Sequence, residues 1–313
     1  MPLGLRRGTV SAITEELPGL VRIEVDGIGC VAYPRLTGEV EVGDDVLVNE
    51  QARLLELGSG GFDVLYANLT RGLGLPAEEG AHVMALPYTP GQVTVRCKEE
   101  ADELAESLDG LPVVLCTLHS QVAPVTAALT GHRVAYVQVA GGALPVSFSD
   151  TVRTLKERVL IETACAVAPC LEGDVQFVTV AAALAWTAAQ GHDAVVCSVG
   201  PGIVGTGSRL GTGALALADV ANAATALAGR PVLAVRTSEA DSRERHRGVS
   251  HHARTVLELA LGDVLVPSEQ DGAGWEEACA DLPLSHMGRG PAGDPAFFRA
   301  AYAAGVAARR LLE

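Results

Sequence analysis

The sequence predicts a two-domain α/β protein. A small antiparallel β-barrel or sandwich spans residues 1–97, and a doubly wound, mostly parallel, Rossmann-like sheet spans residues 98–313. Three observations carry this. The 313 residues suit two domains. Residues up to about 97 show short alternating strands and no long helical period. From Lys98 onward, continuous apolar strands alternate with helices, the pattern of a parallel sheet covered on both faces.

The first domain is read from its turns. Val21, Ile23 and Val25 fall on one face of a strand, with Arg22 and Glu24 on the other. Asp26-Gly27 then leads into a second apolar run from Ile28 to Tyr33, a hairpin signal because both turn positions favour positive φ. Val46–Asn49 and Phe62–Leu69 are further strands. The Gly- and Pro-bearing stretch 71–91 is the expected hinge.

The second domain is read from its periods. Strands are expected at Val113–Thr117, Arg133–Val139, Ala194–Val199, Pro231–Arg236 and Val264–Val266. Helices are expected at about Gln121–Leu129, Phe177–Gln190, Thr212–Leu227, Val249–Leu261 and Phe297–Leu312.

Composition excludes several classes. Acidic residues outnumber Lys and Arg by 38 to 23, a formal charge of -15, which excludes a uniformly basic nucleic-acid binder. No run reaches the roughly 18 apolar residues of a membrane span. Lys98 and Lys156 are the only lysines, and neither follows a glycine, so a GxxxxGK[ST] phosphate loop is absent. The seven cysteines are irregularly spaced without CxxC, and no signal peptide opens the chain; the expectation is buried thiols in a cytoplasmic protein.

Ligands of such sheets bind beyond the carboxyl ends of the strands. Four post-strand loops lie there. The glycine loop holds six glycines from Gly200 to Gly213, with hydroxyls at Thr206, Ser208 and Thr212. Its Gly200, Gly202, Gly205, Thr206, Gly207 and Ser208 are candidate anion contacts through backbone amides and hydroxyls. Arg236 stands where a dinucleotide fold would carry an acid, which disfavours that cofactor and leaves the cofactor unknown. The competing reading is a tight connection that merely needs glycine.

The polar run Asp241–Arg254 carries four arginines and two acids, a local +2 on a chain of -15, and three histidines. Ser250 suits the N-cap of the next helix. His246, His251 and His252 are candidate proton-transfer residues, with Asp241 orienting one of them. Arg243, Arg245 and Arg247 would neutralise an anionic ligand. His119, Ser120 and Gln121 follow the first strand of this domain, and Gly141 and Gly142 follow the second; they complete the ligand set. His251 and His252 are neighbours that point about 100° apart on a helix, so no metal site is expected from them. No GxSxG motif marks a serine nucleophile.

Four motifs together resemble a bacterial family, Domain of Unknown Function 3866. They are His119-Ser120-Gln121; Tyr136 with Gly141-Gly142-Ala143-Leu144-Pro145 and Ser149-Asp150; Gly200-Pro201-Gly202-Ile203-Val204-Gly205-Thr206-Gly207; and Arg245-His246-Arg247-Gly248-Val249-Ser250-His251-His252. The resemblance implies a bacterial cytoplasmic protein and no particular reaction. It departs at Ala168–Gln176, where Pro169 and Gln176 replace the histidine and glutamate of the family pattern. The sequence-level reading is an enzyme acting on a small anionic metabolite or nucleotide-like ligand. The alternatives are a non-catalytic sensor or scaffold using the same pocket, and a homo-oligomer whose polar loop is an interface.

Overall fold

The computed structural model describes residues 3–56 and 61–313. Its internal contacts divide the chain into two compact units, Met1–Arg96 and Cys97–Glu313.

The first unit contains a closed five-stranded barrel. Its strands are β1 (Leu5–Leu17), β2 (Leu20–Val25), β3 (Ile28–Ala32), β4 (Asp45–Asn49) and β5 (Asp63–Asn68), with short helices α1 (Pro34–Thr37) and α2 (Gln51–Leu54) between them. The Asp26-Gly27 turn has positive φ at both positions, 52° and 76°, and sets Val25 opposite Ile28. Val10, Val21, Ile23, Val25, Val46, Val48 and Leu65 fill the interior. The barrel is not purely antiparallel. Its closure pairs β3 with β5 in parallel, Cys30 beside Asp63, and the long β1 pairs with both β2 and β4. The expected hinge at 71–91 contains β6 (Val83–Ala85), which pairs with β7 (Val93–Val95).

The second unit holds a six-stranded sheet in which every pairing is parallel. Its strands are β8 (Pro112–Cys116), β9 (Val134–Val139), β10 (Thr163–Val167), β11 (Val175–Phe177), β12 (Ala194–Val199) and β13 (Arg230–Ala234). They lie in the order β11-β10-β9-β12-β8-β13. Alternate residues of each strand face two separate cores. Val113 and Leu115 join α5 (Val180–Ala189) and α6 (Ala216–Ala226) on one side. Val114 and Cys116 join α3 (Val122–Ala128), α4 (Asp150–Glu157) and the C-terminal helix Pro295–Arg310 on the other. Burial on both faces is why these strands read as mostly apolar runs without strict alternation.

Three elements were not visible as such in the sequence. The amphipathic α4, β10 and β11 fall between expected elements, and Phe177 ends β11 instead of opening a helix. Thr179 caps α5 by accepting from the Ala182 amide. Val264–Val266 makes only a single bridge, Leu265 to Val232, at the β13 edge.

The chain leaves β8 towards β9 in one direction and leaves β12 towards β13 in the other. Adjacent strands β8 and β12 therefore send α3 and α6 to opposite faces, and their carboxyl ends mark the topological switch point, the place where open α/β sheets generally bind ligands. After β13, β14 (Thr237–Ser238) pairs with β15 (Gly248–Val249), followed by α7 (His251–Leu259), α8 (Trp275–Ala278) and α9 (Pro295–Arg310). All seven cysteines are buried and unpaired. Among the described residues, no helix is long and apolar enough to cross a membrane.

Candidate functional site

The short β14–β15 ladder folds the polar run back on itself. Thr237 lies opposite Val249 and Ser238 opposite Gly248, while the Ser250 amide donates to the Arg236 carbonyl at 2.8 Å. This clamp holds Arg236, His246 and the start of α7 together. Ser250 is the N-cap: its hydroxyl accepts from the His252 amide at 3.2 Å and partners His246 Nδ1 at 2.8 Å.

Three histidine rings meet at this point. The ring centroids of His246 and His251 are 4.9 Å apart, those of His246 and His252 4.9 Å, and those of His251 and His252 4.4 Å. One nitrogen from each lies within 4.8 Å of one from each of the others. The neighbouring pair is expected to point about 100° apart on the helix. The rings are inclined at 63° yet stay adjacent, and the 3₁₀ turn Glu244–His246 supplies a third from outside the helix.

The surrounding charge is mostly positive. Arg236, 2% exposed, donates from Nη1 to His252 Nδ1 at 3.0 Å. Its nearest carboxylate is Asp241, 3.5 Å away, which Arg243 already holds in a two-pronged pair at 3.0 and 2.8 Å. The Arg236 Nε is buried without a partner. Burial, then the charge of Arg243, lowers the Arg236 pKa to about 10, so it stays cationic at neutral pH. The hydrogen bond from Arg243 holds Asp241 well below the usual carboxylate range. Burial, then Arg236, pushes His246 and His252 down to about 3. Burial, then Arg245, lowers His251 too. The fold thus keeps the three imidazoles neutral beside fixed guanidiniums.

A family model described as a protein of unknown function (DUF3866) matches residues 29–280. The chain belongs to the DUF3866 family. No curated protein gives a match.

In this DUF3866 protein the site extends beyond the motifs visible in the sequence. His286, 1% exposed, stacks on Phe297 with centroids 3.7 Å apart, and its Nδ1 lies 3.4 Å from Ser120 Oγ. Asp294 accepts from Ser238 Oγ at 2.6 Å and from Arg289 at 3.2 Å. Ser238 Oγ also accepts from the Asp241 amide at 3.1 Å, which links this group to the arginine run. His286 Nε2 and Asp294 Oδ1 are buried with no partner. His286, Arg289 and Asp294 sit in an irregular stretch with no period or motif, so no sequence signal marked them. Arg236 was visible, but only as an argument against a dinucleotide.

Other candidates have structural duties. Gln121 is buried and engaged at both ends: its Nε2 donates to the Ala234 carbonyl at 2.8 Å, and its Oε1 accepts from Thr117 Oγ1 and the Leu118 amide. Both ends of its amide are thus occupied within the protein. His119 links the ends of β8 and β12, with Nδ1 3.3 Å from both the Val199 carbonyl and Tyr136 Oη, and Nε2 2.6 Å from Ser149 Oγ. Burial lowers its pKa to about 4. Gly141, Gly142, Gly200 and Gly213 form a backbone crossing between the β9 and β12 loops. A Cβ on Gly142 would meet the Gly200 carbonyl oxygen at 2.1 Å, and one on Gly213 the Gly141 oxygen at 2.2 Å.

The glycine run is not an open cradle. Its tip is an exposed hairpin in which Thr206 N donates to the Gly211 carbonyl and Ser208 N to Thr206 Oγ1, while Gly213 N donates to the Val204 carbonyl. Gly202, Gly205 and Gly207 lie in the same exposed stretch, well before α6 begins, so the α6 N-terminus does not reach them. Arg209 at the tip pairs with Glu258 of α7, and α7 packs against the turn Gly213–Leu215. The loop and the histidine helix therefore share one edge of the sheet. Arg245 donates from Nε to His246 Nε2 at 3.3 Å, and Arg247 is exposed.

Proposed function

We propose that the Cys97–Glu313 unit of this DUF3866 protein is an enzyme acting on a small anionic metabolite or nucleotide-like molecule. The anion is held at Arg236 and proton transfer falls to the adjacent histidines. On this reading the sheet is Rossmann-like in architecture, but its anion site is the β13 edge and not a glycine cradle.

The single observation behind the proposal is the unbalanced Arg236. Among the described residues, the ion pairs of Arg236, Arg243 and Arg289 run to Asp241 and Asp294, and each carboxylate has a closer arginine than Arg236. A buried guanidinium without full counter-charge is costly, and an oxyanion accepting from Nε and Nη offsets that cost. Arg245 adds a rim cation.

The histidines complete the chemistry. Arg245 can only donate, so His246 Nε2 accepts, which places the neutral-ring proton on Nδ1 towards Ser250 Oγ. Nε2 is then the basic nitrogen. An anion bound beside it raises the imidazole pKa from about 3 towards neutrality, the range where acid–base catalysis works. Binding should therefore take up protons from solution.

The test is a thermal-shift series on the full chain with inorganic phosphate, a nucleoside monophosphate and a dicarboxylate. At least one should raise the melting temperature of the wild type, and Arg236→Gln should lose that rise. Equal stabilisation of the wild type and Arg236→Gln by the same anion would overturn the reading. With a turned-over substrate, His246→Gln should lose turnover and retain affinity; loss of affinity alone, with no turnover by the wild type, would favour a sensor.

A further inference from the structure

We propose that His246, His251 and His252 form a binding site for one divalent transition-metal ion of the zinc class, with an open position for water or an oxyanion. The basis is the juxtaposition of three imidazoles from two elements, one nitrogen of each within 4.8 Å of the others. The metal site stands on that geometry; its coupling to an anion, argued below, rests only on the Arg236 anion site proposed above, and an ion that takes the His246 Nε2 lone pair excludes proton transfer at that nitrogen, so the two are alternative states of the site.

Each ring has a nitrogen that is free or easily freed. His251 Nε2 is buried and has no partner. His246 Nε2 carries a lone pair facing only the Arg245 Nε at 3.3 Å, and Arg245 is an exposed side chain that can turn into water. Its Nδ1 is fixed by Ser250 Oγ at 2.8 Å, the arrangement in which a second hydrogen bond orients a metal-bound imidazole. His252 Nδ1 accepts from Arg236 Nη1 at 3.0 Å, one hydrogen bond that a bound ion would displace to free the third ring.

The donor set selects the ion. Three neutral imidazoles suit Zn²⁺, Co²⁺ or Ni²⁺ and offer nothing to Mg²⁺ or Ca²⁺, which require oxygen. Three protein ligands leave the fourth tetrahedral position open, as catalytic zinc sites do. No carboxylate completes the set, because Arg243 already occupies Asp241.

Arg236, Arg243 and Arg245 repel a bare dication, so the site is tuned to an ion that arrives with an anion or is sealed by one. An oxyanion bridging the open metal position and the unpartnered Arg236 Nε satisfies both at once. Metal and oxyanion affinity should rise together, since such coupling is reciprocal.

The experiment uses the full chain after dialysis against EDTA. Zn²⁺ is titrated in competition with a chromophoric chelator, and Co²⁺ is followed by its visible absorption, each with and without methylphosphonate. The expected result is one ion per chain, an intense tetrahedral Co²⁺ spectrum, and tighter zinc binding with methylphosphonate present. His246→Ala and His251→Ala should weaken zinc at least about tenfold, Ser250→Ala by about 10- to 100-fold as an orienting residue, and His132→Ala not at all. Circular dichroism checks folding, and His251→Gln replaces any alanine variant that fails it. Absence of saturable binding, or His246→Ala and His251→Ala binding as the wild type does, overturns the metal site. Zinc binding without any effect of methylphosphonate, and no oxyanion-induced thermal shift, leaves the metal site standing and removes the anion reading. An oxyanion shift without zinc binding does the reverse.

Discussion

His286 lies flat against Phe297 and is almost wholly buried. Burial, then the charges of Arg236 and Arg289, pushes its pKa down to about 4 from the ordinary 6.5, against the opposing pull of Asp294 and Asp241. The sign of the consequence follows. Below pH 6.5 the unfolded chain takes up a proton that the folded chain refuses until about pH 4. The contribution to stability is therefore complete above pH 6.5 and lost as the pH falls towards 4, at about 1.4 kcal/mol per pH unit for one proton. Urea midpoints of the metal-free protein, measured from pH 7 to pH 4.5, should fall steeply. His286→Phe, which cannot titrate, should remove about one proton from that slope. An unchanged slope would mean that His286 is already protonated in the folded state.

At the scale of elements, the glycine loops separate packing from chemistry. Gly142→Ala or Gly213→Ala drives a methyl group into a backbone oxygen, at 2.1 and 2.2 Å, where nothing flexible can move aside. We expect each to cost about 1–3 kcal/mol or more in a denaturant midpoint. Gly207→Ala, with nothing within 4 Å and no positive φ, should leave stability unchanged. A neutral Gly142→Ala would disprove the crossing. The same contrast explains what could be read from residues alone. The run Ala194–Val199 is apolar except for the small Ser198 because both faces of β12 are buried, so it was legible, as was the Asp26-Gly27 turn. Ser250 was legible as a cap because a hydroxyl before a helix has one local job. The convergence of His246 with His251 and His252 was not, because it depends on a two-residue ladder whose register no local pattern encodes. Gly142 and Gly200, read in the sequence as ligand contacts, lie against backbone oxygens, a placement that was not legible for the same reason: a glycine that admits a ligand and one that admits another strand look alike in sequence.

At the scale of the molecule, one window reverses the charge and the cores divide the chain in two. The window Asp241–Arg254 is +2 on a chain of -15, so the remaining residues sum to -17, and the proposed anion site is a local reversal of a negative chain. Every residue assigned to the site lies in Cys97–Glu313, and both faces of its sheet are covered by that unit's own helices. The barrel fills its interior with its own valines, Ile23 and Leu65. Each unit thus has the independent core that autonomous folding requires. A chain comprising residues 97–313 should unfold cooperatively. It should also reproduce the oxyanion-induced thermal shift of the full-length protein, with its loss in Arg236→Gln. If the truncated chain folds but shows no shift with any oxyanion that stabilises the whole protein, the barrel contributes part of the binding site, and the assignment of the ligand to the β13 edge alone is wrong.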